Sequence, residues 1–206
     1  MYLPPQFAAK DPQLAATLIR ENPLASLISC DDEGLPFVTH LPLHLEESDG
    51  GLVLLGHCAR PNPHWRYLQA RPRALVTFLG PHAYVSPKAY PDLQRVPSWN
   101  YVAVHCTVQA RLVDDPNDKD ALLKTLIGDH EPPYAQQWRS LPEDFAHRML
   151  AGIVGFELQV TELQCKLKLN QHRPESHAAL HAAYAAGNER ERELAGWMER
   201  AGIPAA

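Results

Sequence analysis

Gly56 to Trp65 read GHCARPNPHW, which places His57, Arg60 and Asn62 where a β-rich run ends and a helix begins. At such a junction a guanidinium fork and free backbone N–H groups stabilise an anion such as phosphate. The same residues are also accounted for without a ligand, Asn62 capping the helix and Arg60 covering its neighbours. A second group is THLPLH, where Thr39 and His40 close a strand and offer a hydroxyl and an imidazole to the same anion or to a ring system. His40 and His44 share a strand face only if Pro42 leaves the pairing undisturbed, and they then lie about 13 Å apart, too far for one metal. Tyr84, Tyr90, Trp99 and Tyr101, with Asn100 between the last two, form an aromatic set that could stack on a planar cofactor, seam two subunits together or fill a core. In the closing run CKLKLNQ, alternation puts Lys166 and Lys168 on one face and Leu167 and Leu169 on the other. Paired lysines there face a phosphate or keep a sheet edge from aggregating.

Other chemistries find less support. His177 and His181 have i, i+4 spacing, but HAALH lacks the zincin glutamate and a third ligand, so no metal site is expected. Neither Ser86 nor Ser98 sits in a GxSxG elbow, and no GxGxxG or GxxxxGK[ST] loop is present. Cys30, Cys58, Cys106 and Cys165 lie far apart without CxxC spacing and read as small buried hydrophobes in a reducing compartment. Nineteen Lys and Arg stand against 24 acids, a net charge of −5, and only Arg71 and Arg73 approach a basic cluster; no DNA-binding face is visible. The first residues carry no basic segment followed by an apolar run, and no stretch reaches the length of a membrane span, so a cytoplasmic location is expected.

The elements that must position these residues are mostly strands. LASLISC, the turn DDEGLP and FVTHLPLHL read as two antiparallel strands; LVLLGH follows after EESDGG. PHWRYLQA suits a short helix with Asn62 at its cap and Pro63 in its first turn. ALVTFLG and AYVSP are two further strands, followed by a proline-rich excursion to Asn100. NYVAVHCTVQARLV is a long strand, helices are expected over 114–129 and around PEDFAHRMLAG, and GIVGFELQVTELQCKLKLN closes the sheet. The tail reads as two helices broken at Gly187. Short strands joined by hairpins predict a mainly β, α+β antiparallel barrel rather than a βαβ sheet. The expected division is a barrel domain over 1–172 and a C-terminal helical extension over 173–206.

MYLPPQF, NPLASL, THLPLHL, GHCARPNPHW, GPHAYVSPKAY, VPSWNYVAVH, GIVGFELQV and KLKLNQHR, in that order from Met1 to about Arg173, resemble the PaiB family of FMN-binding negative transcriptional regulators. Ser98 stands where threonine is more familiar, and Asn170 where serine is usual. The resemblance implies a split β-barrel similar to that of pyridoxamine phosphate oxidases, working as a homodimer with FMN at the subunit boundary. It implies cofactor contacts from Thr39, His40, His57, Ala59, Arg60 and Asn62, with Arg60 the preferred phosphate ligand because its charge is permanent. Trp99, Asn100, Lys166, Lys168 and Gln171 complete the implied set. The implied role is negative transcriptional regulation, with DNA a partner from the resemblance alone. The alternatives are a flavin-dependent oxidoreductase and, more distantly, a haem-binding barrel with His40, His57 or His105 as axial ligand.

Overall fold

Leu24–Cys30 (β1) and Pro36–Pro42 (β2) pair antiparallel, in register from Leu24 against Pro42 to Cys30 against Pro36. Asp31 builds the turn between them: its carboxylate accepts from the N–H groups of Glu33 and Leu35, and Gly34 occupies φ +84°, where a side chain would be strained. The computed structural model describes residues 1–203 apart from 49 and 93. The expected EESDGG turn, the proline-rich excursion and the end of the tail each include residues outside that set.

Five more strands follow: His44–Ser48 (β3), Gly51–Ala59 (β4), Arg73–Val85 (β5), Ser98–Val113 (β6) and Ile153–Lys168 (β7). The seven form one antiparallel sheet in the order β2-β1-β5-β6-β7-β4-β3. β2 and β3 therefore stand at opposite ends of the order, yet only Leu43 separates them along the chain. One residue spans no more than about 3.6 Å, so the two edges must meet and the sheet closes as a split barrel. Leu43 makes the corner: its N–H donates to the Pro23 carbonyl at 3.0 Å and its side chain is buried. Gly56 leaves the room for it, since a Cβ there would collide with Leu43 and press on Phe156 and Leu41.

The described residues form two compact units. The barrel unit holds residues 23–78 and 106–163. Leu27, Leu54, Val76, Phe78, Phe156 and Leu158 fill its core. His64–Ala70 (α2) packs on β1 and β2, and Pro116–His130 (α3) on β3 and β4; Tyr134–Ser140 (α4) and Glu143–Ala151 (α5) lie against α3. Asp115 caps α3 by accepting from the N–H groups of Asn117 and Asp118.

The second unit holds residues 1–22, 79–105 and 164 onward. It contains Gln13–Glu21 (α1), the remaining lengths of β5, β6 and β7, and the paired helices His177–Ala185 (α6) and Glu189–Arg200 (α7). Asn188 and Glu191 form a capping box at the start of α7, and Leu194, Trp197 and Met198 bury its inner face.

Several expectations need correction. FVTHLPLHL is two strands, so His40 and His44 do not share a face: His40 Nδ1 meets Ser26 Oγ at 3.0 Å, and His44 Nδ1 meets Asp129 at 2.6 Å. ALVTFLG and AYVSP are one continuous strand, β5; it carries Gly80 through a passage where a Cβ would come within 2.5 Å of Leu18 and 2.7 Å of Val102 side-chain atoms. Helices α1 and α4 were not expected. β7 stands between β6 and β4 in the sheet order; its pairing with β4 runs from Ile153 to Gln159, and farther along Lys166 bridges Ala8. Among the described residues no helix is long and apolar enough to cross a membrane.

Candidate functional site

In the barrel unit the GHCARPNPHW segment turns from β4 into α2. Asn62 stands just before the N-cap, Pro63, and its Oδ1 accepts from the His64 N–H at 3.0 Å. The same side chain donates through Nδ2 to Thr39 Oγ1 at 3.1 Å, so two of the expected contacts are brought together directly. His64, which sequence reasoning passed over, joins them. It is 1% exposed; Nδ1 lies 2.8 Å from Thr39 Oγ1, Nε2 lies 3.0 Å from Ser29 Oγ, and Phe37 packs edge-on against the ring at 5.2 Å. Burial lowers its pKa to about 4, so the imidazole is neutral at neutral pH. Ser29, His64, Thr39 and Asn62 thus form an uncharged network in which every member has a partner.

Arg60 faces elsewhere. Its Nε donates to the Ala151 carbonyl at 2.8 Å, and Nη2 donates to Asp114 at 2.5 Å and to the Ile153 carbonyl at 3.2 Å. Hydrogen bonds from Arg60, and then from Lys119, hold the Asp114 carboxyl below the usual carboxylate range. The guanidinium therefore clamps the end of α5 and the start of β7 to the loop after β4. His57 stands on β4 opposite Gly155, with a buried Nδ1 that has no hydrogen-bond partner among the described residues, and burial lowers its pKa. Ala59 ends β4, exposed.

The second unit gathers charge instead. Lys168 Nζ donates to Ser98 Oγ at 2.7 Å and to the Trp99 carbonyl at 2.6 Å. Lys166 Nζ donates to the Tyr2 carbonyl at 3.0 Å and is only 7% exposed. The Tyr101 ring lies 5.3 Å from Lys166 Nζ and 5.8 Å from Lys168 Nζ; Tyr2 covers Lys166 at 5.7 Å. Neither ammonium has a carboxylate partner among the described residues. Burial lowers the Lys168 pKa, with Tyr101 opposing and Lys166 adding to the shift. Burial, the chain's first amino group and Lys166 likewise lower His105.

Trp99 is 53% exposed and meets His82 and Tyr84 edge-on. Asn100 is fully buried, and both its amide atoms lack partners among the described residues. Gln171 folds back on its own strand, accepting from the Leu169 N–H at 2.9 Å and donating to the Leu167 carbonyl. Asn170 takes φ +67°, a left-handed conformation that asparagine tolerates better than most residues, and bonds Ser176 and Tyr90. His177 contacts the Asn170 carbonyl and His181 contacts Glu199, each with its own partner.

Residues 1–162 match the family described as "Putative FMN-binding domain". Protease synthase and sporulation protein PAI 2 of Bacillus subtilis is 34% identical over 181 residues, covering 85% of this chain and 84% of that one. The chain belongs to the PaiB family of FMN-binding proteins. Two solved structures share its fold. The flavocytochrome Anf3 of Azotobacter vinelandii aligns with a TM-score of 0.61 at 18% identity, over 78% of this chain and 69% of that one. The FAD and heme binding protein of Mycobacterium smegmatis aligns at 0.61 and 17%, over 78% and 72%.

FMN is the cofactor this PaiB-family chain takes, and its residues suit that molecule. A phosphate monoester is close to a dianion at neutral pH and needs positive charge that is not already neutralised; Lys166 and Lys168 carry such charge. A flavin ring needs an apolar or aromatic wall and a few fixed polar groups; taken each by itself, the second unit offers exposed Trp99, and the barrel unit holds Thr39 and Asn62 in a fixed polar network. When bound, FMN supplies electron transfer, and the protein supplies binding, orientation and shielding from water.

Proposed function

We propose that this PaiB-family protein is an FMN-binding negative transcriptional regulator, working in the cytoplasm as a homodimer that holds FMN at the subunit boundary. The relationship to PAI 2 over most of both chains carries this reading. Thr39, His40, His57, Ala59, Arg60, Asn62, Trp99, Asn100, Lys166, Lys168 and Gln171 remain the proposed surroundings of the cofactor.

A flavin-dependent oxidoreductase is the second reading. What favours it is the charge balance: with 24 acids against 19 Lys and Arg, the chain has fewer cations than acids to meet the phosphates of DNA. Adding FMN to the purified protein should give bands at roughly 370 and 450 nm that stay with a dimer-sized species on gel filtration. Binding to the DNA upstream of the protein's own gene, followed over a salt series with and without FMN, should then show an FMN-dependent affinity. NAD(P)H-driven turnover of the bound flavin without any such affinity would replace the regulator with the oxidoreductase. A Soret band on haem addition, with no flavin retained, would contradict both.

A further inference from the structure

We infer that the phosphate of FMN is held by Lys168, with Lys166 adding charge beneath it and Ser98 Oγ beside it, and not by Arg60. This rests on the reading of the chain as FMN-binding and names the part of the molecule that takes the anion. The two candidate cations differ in what they already hold. Arg60 has a carboxylate at 2.5 Å and two carbonyl acceptors, and Lys119 reaches the same Asp114 at 3.1 Å. A dianion placed at that guanidinium would stand next to the Asp114 carboxylate and be repelled by it.

The lysines present the opposite case. They project from one face of β7 two residues apart, about 6.6 Å along the strand, close enough for both charges to act on one phosphate. Their acceptors are a carbonyl for Lys166 and a carbonyl and a hydroxyl for Lys168, all uncharged. Each ammonium has a third donor direction or more beyond these bonds. A buried ammonium without a counter-charge is costly, and two facing one ring repel each other as well. An anion at this place relieves both costs. Lys166 is enclosed between Tyr2 and Tyr101, so Lys168, the less buried of the two, makes the direct contact.

The test compares FMN with riboflavin, which has the same ring and no phosphate, using quenching of flavin fluorescence. The unsubstituted protein should bind FMN more tightly than riboflavin, and inorganic phosphate should compete with FMN only. Lys168→Met should weaken FMN by roughly tenfold to a hundredfold, the usual worth of a charged hydrogen bond, and leave riboflavin unchanged, which also reports that the fold is intact. Lys168→Gln keeps an amide donor for the Trp99 carbonyl without the charge and should give the same loss if the Met variant does not fold. Arg60→Met alters the proposed surroundings of the cofactor but not its phosphate contact, so it should weaken FMN and riboflavin by the same factor. A ratio that survives both Lys168 changes, or that collapses in Arg60→Met, overturns the assignment. Failure of the unsubstituted protein to bind either flavin sinks the FMN reading itself, and the assignment with it.

Discussion

His64 and Lys166 are both deeply buried, 1% and 7% exposed, and their surroundings are opposite. Around His64 in the barrel unit every polar partner is neutral, each hydroxyl and amide is used, and burial keeps the imidazole uncharged. Around Lys166 in the second unit the ammonium is held by a carbonyl and two aromatic faces, with no carboxylate among the described residues to balance it. A satisfied neutral network stabilises the fold and fixes geometry. Unbalanced charge does little for the fold and is suited to an anionic ligand. The comparison therefore assigns rigidity to one region and anion capture to the other.

The largest expected effect lies on the neutral side. His64 has a folded pKa of about 4 against about 6.5 when unfolded. Above pH 6.5 neither state binds the proton, so the network contributes fully; between 6.5 and 4 only the unfolded chain binds it, and stability falls as pH falls. The loss should approach about 3 kcal/mol near pH 4, read as the fall in urea-unfolding free energy from pH 7 to pH 4 in the native chain beyond that in His64→Leu, which lacks this titration. The substitution should itself cost about 3 kcal/mol at pH 7, because the Ser29 and Thr39 hydroxyls lose a buried partner. A pH profile identical in the two proteins would mean that His64 is not held neutral.

Gly56→Ala probes the scaffold on which that network stands. The added methyl would strike Leu43 at the corner joining β2 to β3, and overpacking there should cost about 2 kcal/mol in chemical denaturation. No loss would mean that Leu43 is not what closes the barrel.

Lys166→Met should have the smallest effect on the free protein, within about 0.5 kcal/mol, since it removes an unbalanced charge and its one hydrogen-bond partner belongs to exposed Tyr2. The stabilisation that added FMN confers should nevertheless shrink, read as a smaller ligand-induced rise in melting temperature. If the change instead destabilises the free protein as much as His64→Leu does, the contrast between the two regions fails.

Much of this was open to reading from residues alone, and the exceptions have physical causes. β1, β4, β6 and β7 follow from alternating or continuous apolar runs, and the lysine pair from strand alternation. The break at Leu43 and the continuity through Gly80 and Pro81 do not, because each depends on side chains distant in sequence: Phe156 and Gly56 at the first, Leu18 and Val102 at the second. His64 stands between Pro63 and Trp65 in the most informative motif, yet a sequence does not show that an imidazole is buried, neutral and bonded at both nitrogens. Arg60 shows the reverse problem. Its permanent charge suggested a phosphate ligand, while Asp114, 54 positions away, was already its partner. That no carboxylate among the described residues lies beside Lys166 and Lys168 is likewise a property of packing, which no local motif records.

The most direct test of the central claim is calorimetric titration of FMN into the unsubstituted protein at roughly 0.05 M and 0.5 M salt, on either side of the physiological screening length. The account expects one FMN per protomer and an affinity that drops at the higher salt, because unbalanced lysine charge holds the phosphate. An affinity indifferent to salt would contradict it.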